Sequence, residues 1–492
     1  MGQHTRGCAI AFVALLCTGC ATFRSYDKEL RGTINAVSSG NVDGAIQVLQ
    51  SNNKSEKKDL LYYLELGELQ RLKDRYRDSQ ASWMSADQRV HSWEAAAKAD
   101  PTRLLGGATA LMLNDKSRPY EGHDYEKVML TTRVALNFLA MGDFDNARVA
   151  IKQTHEREAV IADLRAKEVR EIERDTGKRG AQTSFKELNG YPVQTIDNPQ
   201  VNALRNSYQS ALSHYLAGFI YEAEGEPSLA AAGYRQAIEL QPNQPLLEDA
   251  LRGLDQRVAA PDDSLTDVLF VVETGTAPAR ESRSFPLPIP VNYTWVLIPI
   301  SFPVMQTTSS FPPPAQLQVD SGESLPIVPL TSIDLMSRRA LKDEMPGIML
   351  RGAIRSTAKA VAQYQLQHQA QRKDNEWIGL AALALTIGNY VTESADERTW
   401  RTLPAEIAIA RGRMAPGEHS ITLNTTYGPR TVRVNLSGRH AVVGLRLLSS
   451  QLFVQAPVVG TQSAALPQPQ PPSTPAAPAT FEEPSPAMEK SQ

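Results

Sequence analysis

Between residues 26 and 258, apolar positions recur every three or four residues, in paired runs separated by short breaks. That period belongs to amphipathic helices, and the pairing predicts helical hairpins. The clearest pair spans 207–242, SYQSALSHYLAGFIYEAEGEPSLAAAGYRQAIELQP. Gly218 sits where two helices must approach closely, and Tyr221 follows on the same face. Gly225-Glu226-Pro227 breaks the first helix, since glycine suits a left-handed C-cap and proline cannot continue a helix. Ala230, Tyr234 and Ala237 then fall at i, i+4 and i+7, one stripe of a second helix that Pro242 stops. Weaker copies run over 131–158 (Ala135, Phe138, Gly142, Phe144, Ala147), 59–89 (Leu66, Gly67, Tyr76, Trp83, Ala86) and 26–50 (Gly40, Ala45, Leu49). Two inserts, 93–126 and 155–178, interrupt the series. In the second, opposite charges recur three and four residues apart (Asp163 with Lys167, Lys167 with Glu171, Arg165 with Glu168, Arg170 with Glu173), which predicts a helix extended into solvent.

From about residue 259 the pattern changes to strands. Leu265–Glu273 reads as a buried strand. The stretch 285–305, FPLPIPVNYTWVLIPISFPVM, alternates proline with large apolar residues, so it predicts edge strands or polyproline-like pieces. Gln316–Leu330 is extended, and a helix returns from Asp334 to about Arg372. Its basic stripe, Arg351, Arg355 and Lys359, reads as a solvated face, with a phosphate-lipid contact as the alternative. Trp377–Val391 is strongly apolar but too short to span a bilayer, which takes about 20 residues. It predicts a buried helix, or one that touches a membrane or a partner. Short alternating runs over 407–411, 420–426, 431–436 and 441–448, separated by turns, predict a small antiparallel sandwich or meander. Beyond about Ala456 the chain is Pro, Ala, Gln and Ser, the composition of a disordered tail.

The order of small, aromatic, Gly and Pro positions in 207–242 resembles the tetratricopeptide repeat, and the weaker copies make the array irregular. One helix pair cannot bury its apolar face alone, whereas stacked pairs can. At the N-terminus, Arg6 precedes an apolar run from Ala9 to Leu16, and Thr18-Gly19 precede Cys20. This is a secretory signal layout, and its end resembles the lipobox of bacterial lipoproteins, with Cys17 in the place usually held by leucine. The resemblance implies cleavage before Cys20, acylation of its thiol and new amine, and, with Ala21 rather than Asp next, the outer membrane.

Composition narrows the function. Of three cysteines, Cys8 and Cys17 would leave with the signal, so the mature chain would have no disulfide, Cys-metal site or thiol nucleophile. A net charge of −3 provides no basic footprint for nucleic acid. No Walker loop, GxSxG or HExxH is present. Two weak chemical signals remain. His155 and Glu158 are spaced i, i+3, as in helical di-metal sites, though a solvent-facing pair is the commoner meaning. Tyr120, Glu121, His123, Asp124, Tyr125 and Glu126 precede a repeat helix, where Asp124 would be the N-cap; a metal or substrate site is the alternative. Neither yields a metal or cofactor assignment.

The blocks Pro119–Gly122, Ala135–Leu139, Asp145–Val149, Gly275–Pro278 and Arg398–Ala405 are similar to an uncharacterised family of Gram-negative outer-membrane lipoproteins with tetratricopeptide-like repeats. The expectation is an α+β chain: signal peptide 1–19, helical repeat domain 20–258, mixed and largely β domain 259–456, disordered tail 457–492. Functionally it is a non-enzymatic, lipid-anchored periplasmic scaffold whose stacked helices offer a groove to protein partners of an envelope assembly machine. The alternatives are a membrane-associated component of a secretion or surface-assembly complex, through 285–305 and 377–391, and an envelope enzyme with an unrecognised site. The oligomeric state is not specified.

Overall fold

Four helical hairpins fill the first half, at the places where the apolar period is paired. They are α1 (Tyr26–Ser38) with α2 (Val42–Asn52), α3 (Leu60–Arg71) with α4 (Tyr76–Ala99), α5 (Asp124–Ala140) with α6 (Phe144–Arg179), and α8 (Ala211–Ala223) with α9 (Pro227–Leu240). Short helices α7 (Pro199–Ala203), α10 (Pro245–Leu251) and α11 (Leu254–Ala259) fill the joints. The computed structural model describes residues 26–105, 115–179, 184–188, 190–291, 294–307, 311–320, 322–373 and 394–456. Cys20, the apolar 377–391 stretch and the 457–492 tail lie outside the described residues.

Glycine explains how closely two of these hairpins shut. A Cβ on Gly218 would lie 2.5 Å from the Tyr234 ring, and one on Gly67 would lie 2.2 Å from Trp83 Nε1. Such approaches are open only to a residue without a side chain. Trp83, fully buried, then donates to Leu64 O at 3.2 Å.

The strands form two larger sheets and a ribbon. β1 (Thr266–Thr274) is central in a five-stranded sheet of order β11-β10-β1-β7-β6, parallel to β10 (His440–Leu448) and antiparallel to β7 (Glu406–Met414). β11 (Gln451–Gln455) and β6 (Val328–Ser332) are its edges. A four-stranded sheet has the order β5-β4-β8-β9, from β4 (Gln316–Val319), β5 (Glu323–Pro326), β8 (Gly417–Thr425) and β9 (Gly428–Leu436). The last five strands therefore do not form a simple meander: β1, arriving from far upstream, separates β7 from β10.

β1 is buried along its whole length because both of its faces are covered. Leu269 and Val271 join Tyr215, Phe219 and Trp83 in the core shared with the helices. Val268, Phe270 and Val272 join Leu317, Leu423 and Val434 in the core shared with the small sheet. Alternation along one strand thus builds three layers: helices, large sheet, small sheet. The change of pattern near 258/259 marks a change of element type, while the core continues across it. Helices α5 and α8 are buried over nearly all their surface, and they share a core with the chain's own sheet.

The proline-rich stretch is a two-stranded ribbon, β2 (Arg280–Val291) with β3 (Thr294–Met305). Pro286 lies opposite Pro299, so neither nitrogen can belong to a ladder bond. Pro288 and Pro290 share that parity, and prolines therefore line the ribbon's outer edges and stop further strands from adding. Its inner face, Ile298, Ile300, Phe302 and Val304, is buried. Ile300 joins Met345, Ile348 and Met349 of the long helix α12 (Ile333–Lys373) in one cluster. α6 is not simply extended into solvent either. Its Asp163–Lys167 and Arg165–Glu168 pairs form, at 2.8 Å each, but Ile161, Leu164 and Ile172 are buried. Among the described residues no helix is long and apolar enough to cross a membrane.

Candidate functional site

The polar run Tyr120–Glu126 lies where the helical stack, ribbon, long helix and 394–405 segment meet. His123, rather than Asp124, is the N-cap of α5. The Glu126 carboxylate returns to accept the His123 backbone N–H at 3.0 Å, and it also receives the Tyr120 and Tyr125 hydroxyls and Trp400 N–H (2.7 Å). Glu65 of α3 takes the next two backbone donors, Arg401 N–H at 2.7 Å and Thr402 N–H at 3.0 Å. Two buried glutamates from different hairpins thus receive three consecutive backbone N–H groups. Burial pushes Glu65 up to about 7, an effect these bonds only partly offset.

Both ring nitrogens of His123 face acceptors. Nδ1 lies 2.8 Å from Glu344 Oε1 and Nε2 lies 3.0 Å from the Arg398 carbonyl oxygen. A carbonyl cannot donate, so Nε2 carries a proton, while Nδ1 faces a carboxylate, which favours the charged ring. Burial and Arg280 oppose that charge, but Glu344 and Glu126 outweigh them and raise the pKa. Glu344 also receives Arg280 Nη1 at 2.8 Å and lies 3.6 Å from Arg165. Despite burial, these cations hold its carboxyl well below the usual range. Asp124 is bridged to Arg165 and lies 3.7 Å from Lys127.

Around this cluster lies an open cavity of about 120 Å³. Its lining mixes charged side chains with the apolar Trp93, Leu104, Ile161, Leu164 and Ile348. At one margin Asp115 accepts Arg351 Nε and Arg355 Nη1, each at 3.1 Å. The basic stripe of α12 is therefore neither a solvated face nor a lipid contact at these two positions: Arg351 is 5% exposed and Arg355 2%. Arg280, Glu344, Asp115 and Asp396 did not stand out in the sequence, and Arg165 did so only as the charge partner of Glu168. They come from five distant segments; the signals were that Arg280 follows the Gly275–Pro278 block and that Asp396 precedes the Arg398–Ala405 block.

The repeat-signature residues gather elsewhere. Ala230, Tyr234 and Ala237 are fully buried, Tyr234 lies against Gly218, and Tyr221 is half-buried with the Arg148 guanidinium 5.5 Å from its ring centre. Gly225 takes a left-handed φ of +77°, and Pro242 is exposed beyond the helix end. His155 and Glu158 do not form a site together. The His155 ring stacks on His214 with centroids 4.4 Å apart, while Glu158 lies 3.2 Å from His214 Nε2. Burial, aided by His214, pushes His155 down to about 4. Among the described residues no group of three or more His, Cys, Asp or Glu is arranged to hold a metal.

Compared with known proteins, the chain matches no protein-family model, and it has no significant match to a curated protein or a solved structure.

Proposed function

We propose that this chain is a lipid-anchored scaffold or adaptor at the periplasmic face of the outer membrane, binding a protein partner of an envelope assembly machine. The anchor is an acylated Cys20, and the helices are tetratricopeptide-like in their hairpin order. Two of them, α5 and α8, share a core with the chain's own sheet, and recognition falls to the junction cavity. The observation that carries this reading is the convergence of segments far apart in sequence on one open, mixed charged and apolar cavity. A partner seated there touches both halves at once. Its contacts there replace water in a cavity built from α5, α6, β2 and α12.

A second reading, a membrane-associated component of a secretion or surface-assembly complex, is favoured by the ribbon tip. Trp295 is 69% exposed and Leu297 53%, and no charged residue occurs between Arg283 and Asp320. Photo-crosslinking in intact cells separates the two. A photoreactive residue replaces, in turn, exposed Pro119 at the cavity rim, Leu229 on an outer helix, or Trp295. The scaffold reading expects a discrete protein adduct from Pro119. Adducts to lipid from Trp295, with none from Pro119, would replace it by the second reading.

A further inference from the structure

The folded body begins close to Cys20. Only residues 21–25 separate that cysteine from Tyr26, the first residue of α1. Six Cα-to-Cα steps reach at most about 20 Å. The beginning of α1 is itself fixed to the body. The Tyr26 hydroxyl donates to Glu65 Oε1 at 3.4 Å, Asp27 is bridged to Arg401, and Leu30 is buried with Leu49 and Tyr62. An acyl group on Cys20 therefore keeps this end of the first hairpin within about 20 Å of the lipid headgroups, and the rest of the body can only pivot about it.

The surroundings of that pivot are basic. Asn52, the last residue of α2, donates its side-chain amide to Glu29 O at 3.1 Å, which brings the loop after α2 beside the beginning of α1. That loop, residues 53–59, carries Lys54, Lys57 and Lys58. Lys58 Nζ turns inward to Asn53 O, and Arg89 of α4 donates to Lys58 O at 3.4 Å. Over 26–31 and 53–59, with Arg89, six cations stand against four carboxylates, in a chain whose net charge is −3. Two of the four carboxylates are committed within the fold. Asp27 holds Arg401 and Arg31, and Asp59 accepts the Tyr62 N–H at 2.8 Å. Lys28, Arg31, Lys54 and Lys57 are exposed. Residues 21–25 add Arg24 and no carboxylate.

The short tether decides what meets these cations. The surface nearest to them is the one in which Cys20 is planted, and that surface is a bilayer. Attraction between exposed charges acts over about 10 Å at 0.1 M salt, a distance well inside the reach of the tether. Basic residues beside a membrane anchor are drawn to anionic headgroups. We propose that the anchor end of the first hairpin, the beginning of α1 with the 53–59 loop, lies on the bilayer, with Lys28, Arg31, Lys54 and Lys57 against anionic phospholipid headgroups. The lipid then fixes the orientation of the body as well as its attachment. This rests on the acylated Cys20 of the proposed function, and it adds which face of the protein the membrane covers.

The test uses the full lipidated chain in vesicles of phosphatidylethanolamine with one-quarter phosphatidylglycerol. A nitroxide is placed on Ser55→Cys in the exposed loop, or on Leu229→Cys of α9, a helix packed on α8, α10 and α11. Broadening of the lipid phosphorus resonance reads how near each nitroxide lies to the headgroups. Ser55→Cys broadens it at least tenfold more than Leu229→Cys. The triple change Lys28→Gln, Lys54→Gln and Lys57→Gln keeps its thermal melt and loses at least half of the Ser55 broadening. The unchanged chain shows the same loss in vesicles without phosphatidylglycerol. Equal broadening from the two positions, none from Ser55→Cys, or no loss in the triple variant would each overturn the proposal. Palmitate labelling of the same preparation tells this failure from failure of the anchor. A chain that takes no label loses both readings, whereas a labelled chain that is silent at Ser55 loses this one alone.

Discussion

Glu126 Oε1 accepts the Trp400 backbone N–H at 2.7 Å, across 274 residues of chain. The same carboxylate holds the α5 N-cap and two tyrosine hydroxyls, so one side chain joins the helical stack to the segment that leads into β7. Replacing Glu126 by Ala leaves these buried donors without a charged acceptor, each worth about 1.5 to 3 kcal/mol and partly recovered by water. Glu126→Ala is expected to lose about 3 to 5 kcal/mol in urea unfolding monitored at the tryptophans. Retention of wild-type stability would show that the junction is held elsewhere.

Gly218→Ala tests the close hairpin. Alanine gains up to about 1 kcal/mol of helix propensity over glycine. The added methyl, however, meets the Tyr234 ring at 2.5 Å. Tyr234 cannot swing away freely, since its hydroxyl donates to Glu222 at 2.6 Å and accepts from Arg411 at 3.1 Å. Overpacking costs about 1 to 3 kcal/mol, so the net change is destabilising. A raised melting temperature would contradict the packing described here.

His155 supplies a pH prediction with a definite sign. Its pKa is about 4 in the fold, against an ordinary histidine value of 6.5. The unfolded chain therefore binds the extra proton between those values. Stability from this residue is complete above about pH 6.5 and falls as the pH drops toward 4, by roughly 3 kcal/mol at most. His155→Phe keeps the stack on His214 and removes a buried Nε2 that has no hydrogen bond. Unfolding free energies from pH 7 to 4 should fall less steeply in the variant. Parallel curves would rule the assignment out.

Arg133 of α5 and Glu273 of β1 form an ion pair with both side chains 1% exposed. Arg71, Arg446 and Glu68 surround it, so three guanidiniums face two carboxylates. Despite burial, the nearby arginines hold Glu273 below its ordinary range, and its contribution is present above about pH 4.5 and lost as pH falls through the depressed value. Glu273→Ala strands the cations and should cost about 3 to 5 kcal/mol. Replacing Arg133 and Glu273 together by Met and Leu should cost less than the single change, measured by the same unfolding curves.

The anchor has its own assay. Labelled palmitate is expected in the wild-type protein and not in Cys20→Ala. Equal labelling of the variant would remove Cys20 from the proposal.

Much of the fold was legible locally. Gly218 announced a close hairpin because only a missing side chain permits that approach, and the structure adds Tyr234 as its neighbour and a second such contact, Gly67 on Trp83. The Pro pattern of 285–305 left edge strands or polyproline-like pieces, because proline has no N–H to give, and pairing in a ribbon decided for strands. The junction was half legible. Tyr120 to Glu126 stood out as a polar cluster, but its N-cap shifted by one residue, to His123. Arg351 and Arg355 looked solvated because a charge on a helix usually is, and Asp115, more than 230 residues upstream, accepts from both and makes their burial tolerable.

By itself the amino-acid sequence determined the order of helical and strand-rich segments and several of the breaks between them, since period, glycine and proline act over a few residues. Tertiary structure alone decided that β1 lies between β7 and β10, that the sheet shares a core with the helical stack, and that Arg280, His123 and Glu344 meet. Strand order and buried charge pairing depend on partners hundreds of residues away, and no local pattern records which partner will arrive.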